Sequence, residues 1–539
     1  MTDADALLRA IVRHPDDDTP RLVYADWLQE NDRAEEAEFL RVQCRLAAAE
    51  PDDPEYPALA DRDEELRLWL TAHAPGPRPT FPGGLAVEGG SHWWWQSHRG
   101  FPRFLEFTGP ERSGARAMRA LASGLARAFD ALPTRWLVFG YSTTAQLAAL
   151  LKQPVLAGLA QLTVYRDHSA DDSDEAVRLL TKCRHLRNLR GLSLAFAGSD
   201  GACAALAAAP WDGLEWFSPN CHGIGPAGLA ALAGAGWFRR LRELVLAEGL
   251  PDETFEELGR LPALPRLHTL DLSCNDFPVA AWRAFARTRA FPALTRFRLA
   301  GGNMSDGRAG ELAAADGFAL RALDLREGGI GPGAGAALAA APWAGALTAL
   351  DLAFNELGPT GTKAVVGSKA FRALRHLNLS HATIGPTGLA ALAANPALRG
   401  LRALDLSGYS RDARDRLTPA HFERFLAKLD MPDLRHLELS GRPLGARAAR
   451  KLTDPRFASL TRLGLNRCRL TDPAVAALVA APALGNLIQL ELNDNRLATG
   501  PERLTDRSVL PRLASCTLGG NALPAPLTRR LRRRPGVRV

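Results

Sequence analysis

The phrase LTALDLAFNEL at 347–357 recurs along most of the chain, and it constrains the fold more than any other feature. Leu347, Leu350, Leu352, Asn355 and Leu357 set the offsets L-x-x-L-x-L-x-x-N-x-L. Leu350 and Leu352 alternate at strand spacing, so one face is apolar and the other open. Asn355 lies just past the strand, where a turning chain leaves backbone groups unpaired. Its amide is expected to hydrogen-bond the backbone of the next copy. Gly358 and Pro359 follow, then a helical run to Ala370. Taking the first leucine as the start, the copies begin at Leu159, Leu189, Leu214, Leu241, Leu267, Leu294, Leu320, Leu347, Leu374, Leu401, Leu434, Leu460, Leu487 and Leu513, mostly 26 or 27 residues apart. The helical halves repeat too, as IGPAGLAALAGA from Ile224, IGPGAGAALAAAPW from Ile330 and IGPTGLAALAANPAL from Ile384. Pro226, Pro332 and Pro386 suit a first helical turn, where a missing N–H costs nothing.

This pattern resembles the leucine-rich repeat, in its ribonuclease-inhibitor-like subtype of one strand and one full helix per copy. The resemblance implies an α/β solenoid: a horseshoe with parallel strands on the concave face and helices on the convex face. It also implies protein binding on the concave face; relatives inhibit ribonucleases, activate small GTPases or sense ligands in immunity. Asn275, Asn355, Asn495 and Asn521 fit the asparagine ladder of such repeats. Cys468 can stand in, whereas Gly328 and Ala382 cannot bond through their side chains, so looser turns are expected there. A solenoid grows in one dimension, so 539 residues need not mean several globular domains.

Residues 1–73 do not follow the period and read as a small all-helical domain. ALLRAIVRH, RLVYADWLQEND, EEAEFLRVQCRLAAA and DRDEELRLWLTAHA give four helices, with Thr19 and Pro20 opening the second. Leu22, Val23, Trp27, Leu28, Phe39, Leu40 and Val42 are the expected core. The stretch DALLRAIVRHPDDDTPRLVYADWLQENDRAEEAEFLRVQCRL resembles the short repeat-companion domain found at the front of many bacterial leucine-rich-repeat proteins. The residues carrying that likeness include Pro15, Asp16, Asp18, Arg21, Tyr24, Asp26, Trp27, Glu38, Phe39, Arg41 and Gln43. Tyr24, Asp26, Arg21 and Arg41 could form a binding site, but buried Arg–Asp pairs holding short helices together are the favoured reading. APGPRPTFPGG (74–84) is a Pro/Gly linker. Residues 74–100 then hold linker and aromatic cap. Trp93, Trp94 and Trp95, flanked by His92 and His98, are expected to cover the first strand's edge, with base or peptide stacking as the alternative. FPRFLEF and PTRWLVFG read as two degenerate copies, so the repeat domain spans 101–539. The C-terminal LTRRLRRRPGVRV reads as a charged terminal cap with a closing strand, rather than a nucleic-acid tail.

The net charge is +7, carried by 66 Lys and Arg against 59 Asp and Glu. The seven cysteines form no C-x-x-C pair and are odd in number, which favours a reduced, cytoplasmic setting. The N-terminus lacks the basic and apolar regions of a signal peptide, and no apolar run is long enough to span a bilayer. GPTGTKAVVGSK (358–369) lacks phosphate-loop spacing and falls at an ordinary loop-to-helix step. Neither H-E-x-x-H nor G-x-S-x-G occurs. His268, His376 and His436 fall on strands of separate copies. No enzyme activity, cofactor or metal is therefore expected.

The open strand face is the candidate site. The middle residue of L-x-L gives the column Asp271, Arg298, Asp324, Asp351, Asn378, Asp405, Glu438, Gly464 and Glu491. The acidic members would form one stripe on stacked strands, partly balanced by Arg296, Arg326, His376, His436 and Arg462. Such a stripe could steer a basic partner, or could simply be consensus for this repeat. Two copies carry insertions after their strands, which place Tyr165, Arg166, His168, Tyr409, Arg411 and Arg414 on one rim. The expectation is a monomeric, non-catalytic protein-binding scaffold. Nucleic-acid binding through the C-terminal arginines and the Trp cluster is the alternative.

Overall fold

The computed structural model describes residues 2–49, 53, 55–73, 85–87, 97–99, 101–108, 115–140, 143–165, 173–197, 199–220, 222–408 and 415–539. Trp93, Trp94, Trp95, His92, Arg166, His168, Tyr409, Arg411, Arg414 and the 74–84 linker lie outside the described residues. The chain forms two compact units: Met1–Leu70, Pro75–Phe277 and Arg287–Thr295 in one, Thr71–Ala74, Pro278–Ala286 and Arg296–Val539 in the other.

The first unit begins with helices α1 (Asp3–Arg13), α2 (Thr19–Glu30) and α3 (Ala34–Ala48), followed by α4, which spans Tyr56–His73. Thr2 and Asp5 close a capping box on α1. Helix α2 buries Arg21, Ala25 and Leu28, a spacing of four and three that defines one face. Ala25, Leu28, Ala37 and Leu40 make the small core, with Tyr24, Trp27 and Phe101 packed against it. The expected core members Leu22 and Val23 are instead 42% and 48% exposed, because they lie off that face. The expected buried Arg–Asp pairs also differ. Arg21 is buried, but its guanidinium donates to the carbonyls of Asp17 (2.7 Å) and Pro15 (2.8 Å), with Asp18 at 4.0 Å. Asp26 and Arg41 do pair, at 2.7 Å, but on the surface.

Parallel strands follow in register: Leu105–Thr108, Trp136–Gly140, Gln161–Tyr165, Gly191–Ala197, Trp216–Asn220, Glu243–Val245 and Thr269–Asp271. The two degenerate copies are thus the first two parallel strands. Leu85–Val87 runs antiparallel to Leu105–Thr108 and covers its edge. That edge would otherwise present unpaired N–H and C=O groups.

In the second unit the parallel strands run from Arg296–Arg298 through Ala322–Asp324, Ala349–Asp351, His376–Asn378, Ala403–Asp405, His436–Glu438, Arg462–Gly464, Gln489–Glu491 and Ser515–Thr517 to Val537–Arg538. Each three-residue strand buries its central leucine or equivalent and leaves its neighbours half-exposed or in the open layer. Helices such as Pro332–Ala340, Gly358–Gly367 and Gly385–Ala394 return the chain and bury one leucine or valine face. Val537–Arg538 is the expected short closing strand, parallel to Ser515–Thr517. Arg534 is buried there and donates to the carbonyls of Leu504, Asp506 and Leu510.

The ladder side chains point the other way from expectation. Asn355 Nδ2 donates to Leu325 O of the preceding copy at 2.8 Å, and to Leu352 O of its own at 3.1 Å. Its Oδ1 accepts from Ile330 N, also in the preceding copy, at 3.0 Å. Asn495 repeats the geometry onto Leu465, Cys468 and Leu470. Cys468 does stand in, donating from Sγ to Leu439 O at 3.2 Å. Where Ala382 cannot bond, a different device appears. Arg442 occupies a ladder position and is 2% exposed; it donates to Leu406 O, Ser407 O and Ala382 O and pairs with Asp415 at 2.7 Å. Asp415, which lies within the insertion, accepts from Gly385 N at 2.9 Å. One buried ion pair therefore carries what two asparagines would otherwise carry.

Candidate partner-binding face

Two columns of side chains line the open face of the strand layer in the second unit. The first column holds Arg296, Ala322, Ala349, His376, Ala403 and His436; the second holds Arg298, Asp324, Asp351, Asn378, Asp405 and Glu438. Ala322, Ala349 and Ala403 are short where their neighbours are long. They leave a groove of about 340 Å³, with Arg296 and Arg298 at one end, His376 and His436 along it, and Asp324, Asp351 and Asp405 on its acidic side.

Each column carboxylate has a local role. Asp351 Oδ1 accepts from Ala353 N at 3.0 Å, Asp405 Oδ1 from Ser407 N at 2.8 Å, and Glu438 Oε1 from Ser440 N at 2.9 Å. Asn378 does the same to Ser380 N at 2.9 Å without a charge. Asp271, in the first unit, accepts from Ser273 N at 2.9 Å. These bonds close the turn after each strand, which explains why short acceptors recur at this position. They do not require a charge, as Asn378 demonstrates.

The charges are nonetheless uncomfortable. Burial first, then the neighbouring Asp324, raises Asp351; burial raises Asp405. Glu438 is pushed up to about 7, by burial first, with Asp405 and Glu491 adding like charge. Its carboxylate lies where a side chain at Gly464 would sit. Asp324 is relieved by Arg326 at 2.6 Å, and Glu491 accepts from Gln489 and Asn466. The sequence-derived residues Arg298, Asp324, Asp351 and Asp405 thus meet around one groove. Glu438 and Glu491 continue the column beyond it, and Asp271 belongs to the other unit.

One feature of this face was not read from the sequence. Phe354 is 52% exposed and stacks on His381, ring centroids 4.2 Å apart and planes 9° from parallel. Both residues have left-handed backbone, φ 54° and 56°. Their equivalents in other copies are Gly301, Gly408, Gly441 and Gly520 or polar residues such as Glu327 and Asp494. A bulky aromatic there is strained. The signal was available: a phenylalanine at the offset where the turn calls for glycine or a short polar residue. His381 is held below the usual histidine range, by burial first and then by Arg442.

A leucine-rich-repeat family profile matches residues 347–366 and 372–393, two of the copies that line this groove and the two that carry the aromatic pair. With the strand–turn–helix unit recurring in register on either side, the chain has the fold of a leucine-rich-repeat solenoid. No curated protein sequence matches it. Among solved structures, an internalin (inlF) from Listeria monocytogenes is similar at 16% identity, covering 79% of this chain and 94% of that one, with a TM-score of 0.39. A Bacteroides fragilis protein is similar at 16% identity, covering 44% and 69%, with a TM-score of 0.33.

Proposed function

We propose that the chain is a non-catalytic scaffold that binds a protein partner on the open strand face of its second unit, through an extended, basic segment. The observation that supports this most directly is the alanine-floored groove beside Asp324, Asp351 and Asp405. Burial disfavours the charged forms of Asp351 and Asp405, and a lysine or arginine laid along the groove would offset that. Arg296 and Arg298 at one end would receive an acidic group of the same segment, which gives the occupant a direction. Phe354 would supply an exposed aromatic anchor. The ribonuclease-inhibitor-like subtype, a bacterial source and a cytoplasmic setting belong to this reading; the free, mostly buried cysteines are in keeping with it.

The test removes charge without removing the turn closure. Changing Asp324, Asp351 and Asp405 together to Asn copies what Asn378 already does. Proteins captured from lysate by the wild type should be lost from this variant, and from Phe354→Asn, at unchanged helical content. Equal recovery by all three proteins would overturn the proposal.

A further inference from the structure

A second cavity, in the first unit and apart from the strand-face groove, is built for a different kind of ligand. It has a volume of about 780 Å³ and is lined by the α1–α2 turn, the paired strands Ser97–His98 and Phe101–Pro102, and the starts of several parallel strands. Six arginines line it: Arg21, Arg99, Arg103, Arg135, Arg187 and Arg190. The lining carboxylates are Asp16 and Glu215. Six cations against two anions leave the lining with a formal excess of four positive charges, reduced to three by Asp18, which lies 4.0 Å from Arg21 and 3.5 Å from Arg99.

The arginines are held chiefly by neutral groups. Arg135 donates to the carbonyls of Leu132, Thr134, Val12 and Phe129, and burial lowers its pKa. Arg21 donates to two carbonyls, and Arg99 donates to Asp16 O at 2.8 Å with Asp18 at 3.5 Å. Arg103 lies over the Trp136 ring at 4.9 Å. Arg190 reaches Asp16 at 3.3 Å. The Nε–H groups of Arg21 and Arg99 are buried and have no acceptor among the described residues. Arg21 as a whole is 2% exposed. A desolvated guanidinium with an unused N–H is costly unless an acceptor arrives, and like charges crowded in one wall add to that cost. Arginine forks match phosphate oxygens. Beside them, Trp136 and Trp216 meet edge to face at 5.8 Å and are only partly buried.

We propose that this cavity binds a small ligand bearing a chain of two or three phosphate groups. The volume falls in the range of ordinary small-molecule sites, roughly 300–1,000 Å³. A monophosphate would engage too few of the arginines. The shared chemistry is the phosphate chain, which inorganic tripolyphosphate and a nucleoside triphosphate both carry; the tryptophans would distinguish them.

The test is calorimetric titration of the full chain with tripolyphosphate, with ATP and with orthophosphate. One-to-one binding of tripolyphosphate or ATP is expected, at least about tenfold tighter than orthophosphate. Tighter binding of ATP than of tripolyphosphate would assign a nucleotide; equal affinity would assign the phosphate chain alone. The paired change Arg103→Gln with Arg190→Gln should weaken binding by about tenfold or more, since each removes a charged donor. The pair Arg530→Gln with Arg533→Gln, in the other unit, should leave it unchanged. No saturable binding of either polyphosphate at about 1 mM, a concentration at which even weak sites fill, would overturn the proposal. So would equal weakening by the two variant pairs. Neither result bears on protein capture by the strand-face groove.

Discussion

Asn355 makes bonds to two copies at once: two to its own turn and two to the copy before it. All are buried, so Asn355→Ala leaves carbonyls and an N–H without partners. The expected loss is about 2–4 kcal/mol in urea unfolding, at unchanged m-value. Glu438 predicts a pH effect of known sign. Its folded-state pKa lies above its usual value, at about 7, so the protonated form fits the fold better. Stability from this group is therefore full below about 4.5 and declines as pH rises through about 7. Glu438→Gln should be neutral at pH 4 and stabilising at pH 8, on the order of 2–3 kcal/mol, because Gln retains the Ser440 bond without the charge. A variant no more stable at pH 8 than at pH 4 would contradict this. The ladder asparagines were legible because their offset from the leucines is fixed. Arg442 was not, since its partner Asp415 lies within an insertion and arginine is not a residue that the pattern calls for.

Helices in the second unit approach closely where small residues face each other. A side chain added at Gly335, in Pro332–Ala340, would meet Gly361 O of Gly358–Gly367 at 2.6 Å, backbone that cannot swing aside. Gly335→Ala should therefore destabilise by about 1–3 kcal/mol, whereas Ala usually stabilises a helix relative to Gly. Thermal melts of Gly335→Ala and Gly310→Ala give the contrast, since nothing lies near an added side chain at Gly310. Strand and helix positions of the regular copies could be read from their period, whereas Leu105–Thr108 and Trp136–Gly140 fall in stretches that read only as degenerate copies. The edge strand Leu85–Val87 could not: it is three residues long and follows a Pro/Gly run, too short for any alternation to register. The groove was half legible. Its carboxylates stood out, but Ala322, Ala349 and Ala403 looked like composition in an alanine-rich chain.

Across the molecule, stability passes from copy to neighbouring copy, and the last copy depends on its cap. Arg534 is the cap's anchor, so Arg534→Ala should speed amide exchange over 513–539 while leaving 322–405 protected. Uniform loss of protection would instead mean that the unit unfolds only as a whole. The Arg442–Asp415 pair has a consequence for how such an array lengthens or shortens through recombination. Where neighbours meet asparagine to carbonyl, as Asn521 meets Leu492, a period can be excised and an equivalent joint re-forms. Excising 401–433 would remove Asp415 and strand Arg442 as a desolvated cation. Unequal crossing-over is tolerable where the joint is asparagine to carbonyl, but at the Arg442–Asp415 seam the two flanking segments must be inherited together.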